Sequence, residues 1–348
     1  MRFPYLDFST LERREAACRA EVSLNRRLAP DVYIGVAPLT ASPDGLRIGG
    51  GGAPIDWLVV MRRLDERMTL ERLLQQRRVE TPQLDRLVAR LVRFYRHARP
   101  VFISPGSHLS EWSRRLAANG RVLLDPRLTS ACAMVERSDR LQRRFLAELG
   151  AMLGARVEQC RIVDGHGDLR PEHIWLDHEV TIIDCLEFNA RLRAVDPFDE
   201  IAYLDVECER LGAAWAGRYI KARVERGLRE VLPPALYHFY RSYRAMLRAR
   251  LAIAHLAEPD PRTPEKWPRL AQSYLDIATR DAACLKIALR RREGRPGGGR
   301  REGCRPPRRA ATPAEGPRPH FKPPRGRGGV SARCQSENLF STIARPRA

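Results

Sequence analysis

Between Arg161 and Phe188 the chain reads RIVDGHGDLRPEHIWLDHEVTIIDCLEF, and no other stretch narrows the fold as much. Apolar and polar residues alternate there around turns, as in short strands. Asp168 and Asp184 lie 16 positions apart, separated by a loop and two apolar runs, Ile174-Trp175-Leu176 and Val180 to Ile183. A hairpin of that length folds back and sets both carboxylates on one side of a cleft. The apolar strands hold the loop rigidly, as a site of defined geometry requires. Gly167 relieves the backbone where the loop turns. Two carboxylates so placed suit phosphoryl transfer. One orients or deprotonates the attacking hydroxyl, and the other holds Mg²⁺ on the nucleotide phosphates.

The rest of the chain supplies the frame. Apolar positions at Leu11, Ala17, Ala20, Leu24 and Leu28 predict a helix over 10–28, capped by Ser9 or Thr10. The runs VYIGVAPLT and IDWLVVMRRL, around the turn-rich ASPDGLRIGGGGAP, read as a β-hairpin with a flexible glycine-rich turn. Gly49 to Gly52 are not a phosphate-binding loop, because neither Gly-Lys-Ser/Thr nor a strand-to-helix transition follows. Beyond Leu64 the pattern turns helical. Thr69 caps a short helix, and Leu84, Leu87, Val88, Leu91, Phe94 and Tyr95 line one face of the next. The stretch 100–126 is ambiguous. Leu141, Phe145, Leu149 and Leu153 mark a helix over 133–154, and helical patterning returns from Asp196 to Leu289. Asp196 and Asp199 are expected to cap the helix that follows them, and Glu187 to make a structural hydrogen bond. Arg241, Arg244, Arg248 and Arg250 read as a solvated face.

The chain divides as 1–64, 65–289 and a tail from 290 to 348 rich in Arg, Pro and Gly, expected to be disordered because it has little apolar surface to bury. The formal charge of +20 belongs mostly to that tail, where 16 basic side chains face 4 acidic ones, a net +12. The remaining +8 is a mild excess, so a nucleic-acid role is not expected beyond non-specific contacts of the tail. The eight cysteines form no CxxC pair and suggest reduced thiols. The first residues lack an apolar signal core, and no apolar run has membrane-spanning length. A cytoplasmic protein without membrane contact is the expectation.

His166-Gly167-Asp168-Leu169, the Ile174 that follows, and Ile182-Ile183-Asp184 together resemble the signature of the aminoglycoside phosphotransferase and choline-kinase-like group, relatives of the protein kinases. The run CLEFNARLRAVDPFDEIAYLDVECERLG resembles the version found in bacterial phosphotransferase-like domains often fused to a P-loop ATPase. LNRRLAPDVYIGVAPLT and PIDWLVVMRRL look like that family's small-lobe strands, so the resemblance covers roughly residues 3–285. It implies an α+β, protein-kinase-like two-lobed fold: a truncated N-terminal lobe over 1–64 and a mainly helical C-terminal lobe over 65–289. It also implies ATP and Mg²⁺ as cofactors and a small-molecule hydroxyl as phosphate acceptor. Asp168 would be the catalytic carboxylate, braced by His166. Asp184 would be the Mg²⁺ ligand, with His173 in the place of the second. Glu21 would correspond to the glutamate that pairs with the nucleotide-binding lysine, and Met61 to the hinge beside the adenine.

Two features depart from the family pattern. His173 stands where the second metal ligand is usually Asn, and imidazole suits Mg²⁺ poorly. Only nine residues precede the helix start at Thr10, and the first lysine is Lys221, so the lysine-bearing strand is missing from this stretch: either the true start lies upstream or the chain binds nucleotide badly. The rival reading is a non-catalytic, pseudokinase-like binding module.

Overall fold

The computed structural model describes residues 2–3, 6–43, 45–128, 131–258 and 263–293. Strands β1 (Arg2–Phe3) and β2 (Leu6–Asp7) pair antiparallel ahead of helix α1 (Leu11–Asn25). Thr10 caps α1, its hydroxyl accepting from the Arg13 N–H. Three strands follow, β3 (Tyr33–Ser42), β4 (Gly45–Ile48) and β5 (Ala53–Met61). The sequence suggests one hairpin closed by a flexible glycine turn, and the structure differs. β3 is central, antiparallel to β4 on one edge and to β5 on the other. Gly49 to Gly52 therefore carry the chain from one edge of β3 to the other. A Cβ on Gly52, which takes φ +146°, would lie 2.7 Å from the Ala41 carbonyl oxygen. One on Gly50 would lie 2.9 Å from Arg47 Cβ and 3.3 Å from Thr40 Oγ1. Close crossing, more than flexibility, explains these glycines.

Helix α1 packs on one face of this sheet. Val22, Ala29, Val32 and Tyr33 form a small apolar core with Val36, Val59, Met61 and Leu64, joined by Ile183 from far along the chain. That last contact ties the sheet to the segment carrying Asp184.

The remainder is mainly helical. Thr69 caps α2 (Leu70–Gln75) by accepting from the Arg72 N–H. The expected stripe Leu84, Leu87, Val88, Leu91, Phe94 and Tyr95 is the buried face of α3 (Thr81–His97). The ambiguous stretch is α4 (Pro105–Leu123), started by Pro105 and capped by Ser104. The helix expected over 133–154 is two, α5 (Cys132–Leu149) and α6 (Ala151–Glu158), parted at Gly150, where any Cβ would run into the Leu146 carbonyl. Short pairs of strands follow. β6 (Val163–Asp164) pairs with β9 (Ala194–Val195), which follows the one-turn helix α7 (Ala190–Arg193). β7 (Ile174–Leu176) and β8 (Val180–Ile182) form the hairpin expected between the two aspartates. Four helices complete the fold: α8 (Pro197–Arg210), α9 (Ala214–Leu228), α10 (Pro234–Ala254) and α11 (Lys266–Glu293). Helix α11 runs through Arg290, so the boundary placed at 289 falls inside it, and the expectation for 294–348 lies outside the described residues.

The chain is thus α+β with a mainly helical C-terminal part. Helix α8 is its axis, buried from Pro197 to Cys208. The arginines of α10 are where the sequence misleads. Arg241, Arg244 and Arg250 are buried and not a solvated face. Acids on α8 and α11 make that burial tolerable. Arg244 forks onto Asp199 with two contacts of 2.7 Å, and Arg241 pairs with Asp205, Glu209 and Asp281. Asp199 therefore pairs where capping was expected, whereas Asp196 does cap α8, accepting from the Phe198 N–H at 2.9 Å. Such pairs add little net stability, but removing one partner costs about 3–5 kcal/mol. No helix among the described residues is long and apolar enough to cross a membrane.

The glycine crossing is testable. Gly52→Ala should destabilise the fold by about 1–3 kcal/mol, because both the positive φ and the Ala41 carbonyl oppose a side chain. Gly51→Ala, with nothing within 4 Å of its Cβ, should change stability by less than about 0.5 kcal/mol. Urea-unfolding midpoints of the two variants check this.

Candidate active site

The loop from Gly165 to His173 is shaped by its own backbone and by one buried carboxylate. Gly167 takes φ +89°, and a Cβ there would lie 2.9 Å from Leu186 Cδ1. Glu200, fully buried on α8, accepts from the His166 N–H at 2.9 Å and from the Gly167 N–H through Oε1. Its Oε2 accepts from the Tyr95 hydroxyl at 2.8 Å. A carboxylate with three donors is well satisfied, although burial still raises its pKa.

His166 joins the loop to the strand that leads to Asp184. Its Nδ1 accepts from the Asp168 N–H at 3.2 Å, so Nε2 carries the proton and donates to the Ile183 carbonyl at 2.9 Å. The ring is buried, which pushes its pKa down to about 4 and keeps it neutral. Its carbonyl in turn accepts from the Leu186 N–H at 3.1 Å. His166 is a brace with no lone pair left for chemistry.

Asp168 and Asp184 meet at His173. The His173 Nδ1–H donates to the Asp168 carbonyl at 2.9 Å, and Nδ1 lies 3.6 Å from Asp168 Oδ2. Nε2 lies 3.2 Å from Asp184 Oδ2 and 3.2 Å from Arg170 Nη2. One imidazole therefore spans the two aspartates that sequence spacing brings together. The Asp168 carboxylate accepts from the Tyr203 hydroxyl at Oδ1 (3.2 Å) and from Arg170 Nε at Oδ2 (3.0 Å). Burial would raise its pKa, but Arg170, His173 and Arg248 outweigh that and hold the carboxyl well below the usual range. The remaining arm of Arg170 pairs with Glu172.

Asp184 sits at φ +68°, a left-handed conformation that costs a non-glycine residue roughly 1–2 kcal/mol. Its neighbours hold it there. The Ile183 N–H donates to the His173 carbonyl at 3.0 Å, and the Cys185 N–H donates to Asn25 Oδ1 at 2.8 Å. Asn25 is anchored in α1 by donating to the Glu21 carbonyl at 2.9 Å. Arg27 reaches from the end of α1 to the carbonyls of Asp164 (2.8 Å) and Gly165 (2.9 Å). Helix α1 thus touches both ends of the constellation. Glu21 lies on that helix, its charge beside the Cys18 thiol, and Met61 packs in the small core with Ile183. The fold sets Met61 next to the residue before Asp184, while Glu21 enters through its backbone carbonyl.

The donor set bears on Mg²⁺. That ion takes oxygen ligands and keeps several waters, so the Asp184 carboxylate, with a side chain 41% exposed, fits as its anchor. His173 does not fit as a ligand, since Nδ1 is spent on the Asp168 carbonyl and Nε2 lies between Asp184 and Arg170. Among the described residues no group of three or more His, Cys, Asp or Glu is arranged to hold a metal. Waters and phosphate oxygens would have to complete a shell begun by Asp184. A surface hollow near Gly120, Arg121, Leu124 and Arg143 shares no residue with the constellation.

Comparison with known proteins places the chain beside two mycobacterial ones. It is 31% identical over 300 residues to the uncharacterized protein Rv2004c of Mycobacterium tuberculosis and, equally, to the uncharacterized protein Mb2027c of Mycobacterium bovis. The match covers 85% of this chain and 58% of each relative. The chain thus spans less than two thirds of these curated relatives. No family model and no solved structure matches it.

Glu200, Tyr203, Asn25 and Arg27 escape the sequence. Glu200 and Tyr203 stand in the run VDPFDEIAYL, yet nothing in that pattern separates Glu200 from the adjacent Asp199, which faces Arg244 instead.

Glu200→Ala should destabilise the fold by about 1–3 kcal/mol, by leaving two buried N–H groups without an acceptor, and Glu200→Gln should cost less. Chemical denaturation of both variants decides. A second expectation concerns acid. Burial pushes His166 and His108 from 6.5 down to about 4, so the unfolded chain takes up protons at pH values where the folded one does not. Stability should fall as pH drops from 6.5 through about 4. Asp168, with its pKa depressed, adds to acid lability only below its ordinary 3.8. Urea midpoints measured across that range test the sign, and His108→Gln should flatten the slope.

Proposed function

We propose that this chain carries the catalytic part of an ATP-dependent phosphotransferase of the aminoglycoside-phosphotransferase-like type, with a two-lobed, protein-kinase-like arrangement. It would move the γ-phosphate of ATP to a hydroxyl of a small molecule. The observation that carries the reading is the convergence of Asp168 and Asp184 on opposite nitrogens of His173. Phosphoryl transfer asks little covalent chemistry of a protein and much positioning, which is what this loop supplies.

In this reading Asp168 accepts a hydrogen bond from the acceptor hydroxyl and aims it in line with the phosphorus. Its depressed pKa makes it a weak base, so orientation is its contribution more than early proton removal. Asp184 holds the cation through its exposed carboxylate oxygens, and His173 keeps the two aspartates at a set separation. Mg²⁺, when bound with the nucleotide, supplies charge neutralisation on the phosphates. Met61 would border the adenine, and Glu21 would face the nucleotide side. Coverage of 58% leaves 42% of each relative unmatched, which supports the expectation of a further domain there, such as the P-loop ATPase.

A second reading, a pseudokinase-like binding module, has its own support. Both Asp168 oxygens already have partners, Tyr203 and Arg170. Isothermal titration with Mg·ATP separates the two: no heat at millimolar nucleotide would favour the module.

Asp168→Asn should lower phosphate transfer, or ATP hydrolysis if the acceptor is absent, by about 10²–10⁴-fold with the fold intact. Full activity in that variant would end the role given to Asp168. Radiolabelled-ATP turnover alongside circular dichroism makes the measurement.

A further inference from the structure

Arg248, whose charge acts on Asp168, and Arg210 flank one buried carboxylate in a way that leaves the outer nitrogens of Arg248 without a hydrogen bond. Glu207 is fully buried on α8, one helical turn beyond Tyr203, whose hydroxyl reaches Asp168. Its carboxylate lies 2.8 Å from Arg210 Nε and 2.7 Å from Arg248 Nε, and it accepts from the Tyr274 hydroxyl at 2.8 and 2.9 Å. One negative charge thus serves two guanidinium groups. Arg210 donates to Glu207 through Nε, while the Arg248 Nε–H donates to the Tyr274 hydroxyl at 3.2 Å and lies against the same carboxylate, which leaves the terminal Nη edges directed elsewhere. Among the described residues no hydrogen bond occupies Nη1 or Nη2 of Arg248, and the Nη2 of Arg210 has only Glu71, at 3.7 Å.

Other arginines nearby are built differently. Arg170 spends its fork on Asp168, Glu172 and His173, Arg244 on Asp199, and Arg241 on three acids. Arg210 and Arg248 lie over the same Tyr274 ring, at 5.7 and 5.4 Å, which further holds their planes. Their side chains are 19% and 17% exposed, open to a small molecule yet largely shielded from water. A charge-assisted hydrogen bond is strongest in such a setting. The carboxylates facing them are Asp168, Glu172 and Glu71. Arg170 is shared between the first two, and Glu71 approaches only Arg210, at 3.7 Å, so among the described residues no carboxylate besides Glu207 lies within salt-bridge distance of Arg248.

We propose that the Nη edges of Arg248 and Arg210 form an oxyanion site beside Asp168, so that the hydroxyl compound presented there also carries a carboxylate or a phosphate group. Assignment of that anion to the acceptor rests on the phosphotransferase reading; the anion site itself does not. Binding through the fork would hold the acceptor at one end while Asp168 orients its hydroxyl at the other.

The test is isothermal titration of the full chain with inorganic phosphate and, in parallel, with acetate, each with and without Mg·ADP. At least one anion should bind the wild-type chain in both conditions, and the tighter one names the acceptor's acidic group. Arg248→Met should weaken that binding by about tenfold or more. Arg248→Lys keeps a cation for Glu207, and with it the fold, but loses the fork, so it should weaken binding as well. Asp168→Asn should not weaken it. The site is overturned if neither anion binds at millimolar concentration, or if both Arg248 variants bind as the wild type does. Displacement by Mg·ADP would also overturn it, by placing the anion on the nucleotide side. Since no turnover is read, a chain that binds anions through Arg248 yet transfers no phosphate would retain the site and lose the enzyme reading.

Discussion

Glu200 is the side chain on which the candidate site depends most. A loop that turns at Gly167 with a positive φ exposes two successive backbone N–H groups to an apolar interior, where each would be costly without an acceptor. A single carboxylate on the buried axis helix accepts both. The loop conformation, the axis helix and the core under α3, reached through the Tyr95 hydroxyl, are therefore parts of one arrangement. His166 extends it sideways by tying Asp168 to the strand before Asp184. The two aspartates thus take their separation from a network of satisfied buried groups, and loop stiffness contributes less.

The same economy of charge runs through the helical part. Helix α8 presents Asp199, Asp205, Glu207 and Glu209 to arginines of α10 and to Arg210, so its interior is lined with ion pairs as well as apolar contacts. Hydrophobic residues of like volume would pack there at similar or lower free energy. What ion pairs add is register: α10 has one longitudinal position relative to α8 at which Arg241, Arg244 and Arg248 all meet acids. That register sets Arg248 beside Glu207 and Arg244 over the ring of Tyr203, whose hydroxyl reaches Asp168, and so links the packing of α10 to the site.

Much of the fold was legible wherever a local pattern decides the outcome. The apolar stripe of α3, the caps Thr10 and Thr69 and the hairpin between the aspartates follow from periodicity and side-chain chemistry within a few residues. The misreadings share one cause, which is distance along the chain. Whether Arg244 faces water or Asp199 depends on a partner 45 positions away. Whether Gly52 is a hinge or a crossing depends on where the β3 edge lies. Within the site, Asp168, Asp184, His166 and His173 were legible because they share one short stretch. Asn25, Arg27, Glu200 and Tyr203 were not, because each acts on that stretch from another element. Met61 lies between these cases, reached through Ile183 and the small core.

His173 shows how a departure from a familiar pattern can carry information. As a substitute metal ligand it is a poor choice, since imidazole lacks the hard oxygen that Mg²⁺ prefers. Its position gives it another task. With Nδ1–H committed to the Asp168 carbonyl, Nε2 faces both Arg170 Nη2 and Asp184 Oδ2, each at 3.2 Å. Arg170 also serves Asp168 and Glu172, so the ring and the guanidinium together link one aspartate to the next. Asp168, held well below the usual carboxylate range by Arg170, His173 and Arg248, is suited to orienting a group more than to taking up its proton.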